Sequence, residues 1–156
     1  MSATKESIAR AVADPKAGQV VATVDIAAAP DRVFRALASE EIVEWWVRPG
    51  VFDTREWSGD VRIGGRWRTS GIARGNPYVL EGEYLEVDPP RKLVHTWRLA
   101  GAPIPPSTVT YVLERRGNGT RLMLRHTGIA SPESCANMCA GWESSFEHLL
   151  EMIGKA

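Results

Sequence analysis

The chain has 156 residues, 44% of them hydrophobic, with 19 Lys plus Arg against 19 Asp plus Glu. That length fits one domain with a full core, and balanced charge with dispersed arginines excludes the basic footprint of nucleic-acid binding. No apolar run reaches the roughly 20 residues of a membrane span, so no membrane insertion is expected, and the N-terminus lacks a signal-peptide core, which points to the cytoplasm.

In chain order, Met1–Gln19 is rich in Ala, Lys, Ser and Asp and reads as a flexible arm with one helical turn around Ile8 to Val12. The domain proper is read from 20 to 156. Val20 to Ile26 is β-rich and makes a first strand. Pro30-Asp31 opens a short helix with Val33, Phe34 and Leu37 inward, and Glu40 to Trp46 makes a second, ended by Pro49-Gly50. Strands follow at Thr54 to Ser58, Trp67 to Ile72, Val79 to Val87, Leu93 to Leu99, Thr108 to Arg115 and Thr120 to His126. Gly117-Asn118-Gly119 marks the last hairpin. Short turns between strands predict an antiparallel meander. Gly64-Gly65 is a tight turn, without the spacing or the Lys-Ser/Thr of a phosphate loop.

Ser131 to Ile153 closes the chain as one long helix, with Ser131 as cap and Pro132 at its first position. Its apolar face carries Cys135, Met138, Cys139, Trp142, Phe146, Leu149, Leu150 and Ile153, and its polar face includes Glu147 and His148. Roughly 20 residues at about 1.5 Å each span a small domain, so this helix needs a broad surface to lie on. Alternation supplies it. Leu93, His95, Trp97 and Leu99 share one strand face, Val109, Tyr111 and Leu113 a second, and Leu122, Leu124 and His126 a third. An interior that is aromatic and aliphatic with a few polar groups suits a small-molecule cavity.

Ala29-Pro30-Asp31-Arg32-Val33-Phe34-Arg35-Ala36-Leu37 resembles the opening motif of the START-like superfamily, also called SRPBCC. Trp45-Trp46, Gly64-Gly65-Arg66-Trp67, Asp88 to Trp97, Gly119 to Leu122, His126-Thr127-Gly128 and Gly141-Trp142 follow in order. Together they resemble the bacterial branch named after the activator of a heat-shock chaperone ATPase. The resemblance implies an α+β helix-grip fold, in which a curved antiparallel sheet of about six or seven strands wraps the C-terminal helix and two short helices follow the first strand. It also implies a cavity between sheet and helix that takes lipids, sterols, polyketides or other apolar molecules, with a link to stress; some relatives are cyclases or hydrolases. His95 stands where a bulky apolar residue is more usual, so a more polar cavity is expected. The chain also lacks the extra N-terminal domain of the eukaryotic activators, which weighs against chaperone binding.

The expected role is a non-catalytic binding module for a small apolar or aromatic molecule, with no cofactor. Its expected ligand-binding residues are Trp45, Trp46, Trp67, Tyr84, His95, Trp97, Tyr111, His126, Met138 and Trp142. Trp97 and Trp142 also fit as core pillars, and Trp45, Trp46 and Trp67 as a mouth. One alternative is a cyclase or dehydratase with His95 and His126 as acid and base. No nucleophile motif accompanies them, and His126 equally suits a structural bond near Thr127-Gly128. Another alternative is a chaperone-interacting or homodimerising module, since exposed strands invite pairing. Cys135 and Cys139, four apart, have a chelating spacing but suit plain packing in a reducing compartment, and no metal is assigned.

Overall fold

The computed structural model describes residues 9–154. Nine strands form one antiparallel sheet: β1 (Arg10–Asp14), β2 (Gln19–Ile26), β3 (Val47–Arg48), β4 (Phe52–Gly59), β5 (Arg66–Ala73), β6 (Asn76–Asp88), β7 (Lys92–Leu99), β8 (Ser107–Arg116) and β9 (Gly119–Thr127). Two short helices, α1 (Pro30–Leu37) and α2 (Ile42–Trp45), lie between β2 and β3, and α3 (Pro132–Leu149) follows β9. The strand order is β1-β2-β9-β8-β7-β6-β5-β4-β3, so β2 pairs with the last strand and the rest is a meander. This is the helix-grip arrangement.

Local chemistry sets the elements. The Ser131 hydroxyl accepts from the Ser134 backbone N–H at 3.1 Å and Pro132 occupies the first turn, so α3 starts where its cap can satisfy a free donor. Gly117 takes φ 59° in the two-residue turn between β8 and β9, a conformation glycine adopts without steric cost. Val20, Ala22, Val24 and Ile26 alternate inward on β2, and Leu122 and Leu124 do so on β9. With Trp142, Phe146 and Leu149 of α3 they belong to one core.

Three expectations need correction. The sheet has nine strands rather than six or seven. One addition is β1: Arg10–Asp14 is not part of a loose arm with a helical turn but pairs with Gln19–Thr23 of β2, which satisfies its backbone where a lone turn would not. Ala9 is buried there, and Glu143 of α3 accepts from the Ala11 N–H at 3.3 Å; Ile8 and the residues before it lie outside the described residues. The other addition, β3, is two residues long. The terminal helix is not uniform either: after Leu149 it widens into a π-helical turn over Leu150–Gly154, whose Gly154 carbonyl accepts from the Ala27 N–H at 3.3 Å.

Candidate functional site

The site grows from an aromatic cluster. Trp45 and Trp46 end α2, and both are buried. The Trp45 indole N–H donates to the Ala36 carbonyl at 2.8 Å, which anchors α2 to α1. Trp46 lies 5.0 Å from Trp97, 5.6 Å from Trp67, 5.9 Å from Trp45 and 6.1 Å from Trp142, ring centre to ring centre. Most of these contacts are edge-to-face, the arrangement that ring quadrupoles favour. Trp67 reaches this position because it packs over Gly82: a Cβ there would come within 2.0 Å of the Thr96 carbonyl oxygen, to which the Trp67 N–H donates at 3.2 Å.

His126 sits under this cluster with both ring nitrogens engaged. Nδ1 accepts from the Trp142 indole N–H at 3.0 Å. Nε2 must therefore carry the proton, and it donates to the Ser107 hydroxyl at 2.6 Å. Ser107 in turn donates to the Trp97 carbonyl at 3.2 Å. The chain of donors runs one way and ties Trp142 to the strand that carries Trp97. Burial, reinforced by nearby His95, pushes the His126 imidazolium down to about 3. His95 is pushed down to about 4, again by burial, against its bond from Nδ1–H to the Thr96 carbonyl at 2.9 Å. Both rings are neutral near pH 7. Burial raises the Tyr84 and Tyr111 phenols. The Tyr111 hydroxyl and the Trp46 N–H are buried without a partner in hydrogen-bond geometry.

A cavity of about 460 Å³ opens beside the cluster, between α3 and the inner face of β4 to β7. Trp46, Trp97 and Trp142 make its floor. Val51, Phe52, Leu80, Leu99 and Met138 are its apolar walls. Gly141, in the middle of α3, leaves room: a Cβ there would only touch the Phe52 ring, at 3.5 and 3.8 Å. Polar groups are few. Thr54 and Tyr78 share a hydrogen bond of 2.9 Å, Ser145 is buried on α3, and Arg48, Arg74 and Asn137 border the opening. A second, more open hollow of about 550 Å³ on the far side of Val51 and Phe52 is lined by Asp53, Arg55 and Arg74 among others.

Of the ten residues expected from sequence, Trp46, Trp97, Met138 and Trp142 line the cavity. Trp45, Trp67, Tyr84, His95, Tyr111 and His126 are buried beneath or beside its floor and do not line it. The expected mouth role of Trp45 and Trp67 is corrected accordingly: both fill core. Sequence reading missed Phe52, Thr54, Tyr78, Arg48, Arg74 and Gly141. Phe52 and Thr54 share a strand face; Thr54 already opens the strand read at Thr54 to Ser58, and extending it by two residues adds Phe52. Arg74 sits in a turn and carries no pattern. Cys135 donates to the Gln19 carbonyl at 3.3 Å, and among the described residues no three His, Cys, Asp or Glu side chains are grouped to hold a metal. Nor is any helix of the described residues long and apolar enough to cross a membrane.

No curated protein matches the chain. Solved structures do. Protein CV1439 from Chromobacterium violaceum is 26% identical over 87% of this chain and 96% of its own, with a TM-score of 0.77. Protein MLL2253 from Mesorhizobium loti is 27% identical over 86% of this chain and 95% of its own, with a TM-score of 0.70. Protein Ms6760 from Mycobacterium smegmatis, at 20% identity over 97% and 99%, shares the fold with a TM-score of 0.80. Residues 27–154 match the model of the Activator of Hsp90 ATPase homolog 1-like protein family. A match across that span, together with the shared helix-grip architecture, shows that the chain belongs to this family of START-like proteins.

Proposed function

We propose that the protein binds a small hydrophobic or aromatic molecule in the cavity between its sheet and α3. One observation carries this: the tryptophan cluster is tightly packed, yet beside it an apolar-walled space of about 460 Å³ stays open to solvent. That volume lies within the roughly 300–1,000 Å³ of small-molecule sites, and the mix of aromatic walls with a few polar groups is typical of them. Trp46, Trp97, Trp142 and Met138 contact the guest; Tyr84, His95, Tyr111 and His126 hold the floor. The reading favours binding over a cyclase built on His95 and His126. Neither ring lines the cavity, and His126 has no nitrogen free to exchange a proton with a guest.

Native mass spectrometry and solvent extraction of the purified protein test the proposal, with titration of apolar aromatic probes read by tryptophan fluorescence. The expected result is a bound mass or saturable quenching of the floor tryptophans. A guest at about 100 times its Kd should also add about 2.7 kcal/mol of stability. No adduct, no quenching and no shift in Tm across the probe set would overturn it.

A further inference from the structure

We propose that the guest is an organic acid whose single carboxylate is held at the cavity opening by Arg48 and Arg74, while its apolar body lies on the tryptophan floor. This rests on the binding reading above and names the class of ligand.

The charge of the lining points this way. It includes two guanidinium groups and no carboxylate. Of the thirteen other arginines, eight pair with Asp or Glu (Arg32, Arg35, Arg55, Arg62, Arg91, Arg98, Arg116 and Arg121), and the other five line no part of this cavity. Neither Arg48 nor Arg74 has such a pair among the described residues. Arg48 is half-buried and Arg74 exposed at the rim, and guanidinium groups beside an apolar wall without a counter-ion favour an anion that brings its own apolar surface.

Backbone pairing converges the two. Arg48 of β3 pairs with Phe52 of β4, and Phe52 pairs with Ala73 of β5, immediately before Arg74. The Arg74 N–H also donates to the Val51 carbonyl at 2.8 Å. Two strand spacings separate the two arginine backbones, about 10 Å, which two long side chains can close around one carboxylate.

Arg74 is held there at a cost. With Gly75 it forms the two-residue turn between β5 and β6, and its φ is 49°, the one positive φ at a non-glycine residue among the described residues. Such turns favour Asn-Gly or Gly-Gly. Placing a residue with a long side chain in the left-handed region costs on the order of 1 kcal/mol, and such strain concentrates at functional sites. Deeper in, the Tyr78 and Thr54 hydroxyls bond each other at 2.9 Å. Burial keeps the Tyr78 phenol protonated, so when Thr54 donates to it the Tyr78 O–H is free to donate to the carboxylate.

The test uses matched acid and amide probes on delipidated protein: 1-naphthaleneacetic acid against 1-naphthaleneacetamide, and octanoate against octanamide, by calorimetry at low and high salt. The acid should bind at least about tenfold tighter in one pair, and salt should shrink that advantage. The double variant Arg48→Gln/Arg74→Gln should erase the advantage by weakening the acid far more than the amide, with an unchanged Tm showing that it folds. Equal acid and amide affinity, or a preference that survives the double variant, overturns the carboxylate assignment and leaves the apolar cavity standing. Binding of neither member of either pair overturns both proposals.

Discussion

His126 shows how a residue that suits catalysis is used instead to hold a shape. Its Nδ1 accepts from Trp142 and its Nε2–H donates to Ser107, so protonating Nδ1 must break the Trp142 bond. Replacing Ser107 with Ala strands the buried His126 N–H and the Trp97 carbonyl, and should cost about 1–3 kcal/mol, measured by denaturant unfolding. Both histidines also make stability depend on pH. Their folded pKa values, about 4 for His95 and about 3 for His126, lie below the ordinary 6.5. The unfolded chain therefore binds more protons once the pH drops below about 6.5, and stability is lost as pH falls from there toward 3–4. At pH 5 the loss should be about 2 kcal/mol for each histidine, so Tm should fall between pH 7.5 and pH 5. His126→Gln should remove about half of that pH-dependent loss, and an unchanged slope would show that the buried ring does not cause it.

At the scale of the element, α3 serves two ends along one face. Its C-terminal half buries Phe146 and Leu149, while Met138, Gly141 and Ser145 border the cavity. That division explains why Met138 is only half-buried on a stripe that reads as uniformly apolar. Glycine inside a helix costs about 1 kcal/mol relative to alanine, and at Gly141 an added methyl would meet Phe52 at ordinary contact distance. Gly141→Ala should therefore stabilise the protein by about 0.5–1 kcal/mol in thermal unfolding. Gly141→Leu should instead take up part of the cavity beside the tryptophan floor, leaving a folded protein whose quenching by apolar probes is weakened. Unchanged probe affinity in that variant would place the guest elsewhere. The two additional strands follow from physics that alternation does not capture. β1 is Arg-Ala-Val-Ala-Asp, too small in side chain to show a buried face, and β3 is too short to show any period.

Over the whole molecule, the cavity is assembled from α2, β3 to β7 and α3, segments that span positions 46 to 145. The sheet is completed when β2 pairs with β9, about two thirds of the chain length away. A floor made from such distant pieces should not survive partial unfolding, so tryptophan fluorescence and far-UV circular dichroism should report coincident thermal transitions. An earlier fluorescence transition would show that the floor melts ahead of the sheet.

The meander, the two short helices, the capped terminal helix and the family were all legible in the linear order of residues. They depend on near-neighbour rules: β-branched alternation on β2, Gly117 at a turn, Ser131 before Pro132. The same rules placed His95, Tyr111 and His126 on the inward side, and all three are buried. Whether an inward side chain meets another side chain or open space is a different matter. That is set by how Trp46, Trp67, Trp97 and Trp142 divide one interior among elements far apart in the chain. Only the folded packing gathers them into one cluster and leaves Phe52, Leu80 and Gly141 facing a void beside it, because packing depends on volumes meeting in three dimensions while periodicity records direction alone.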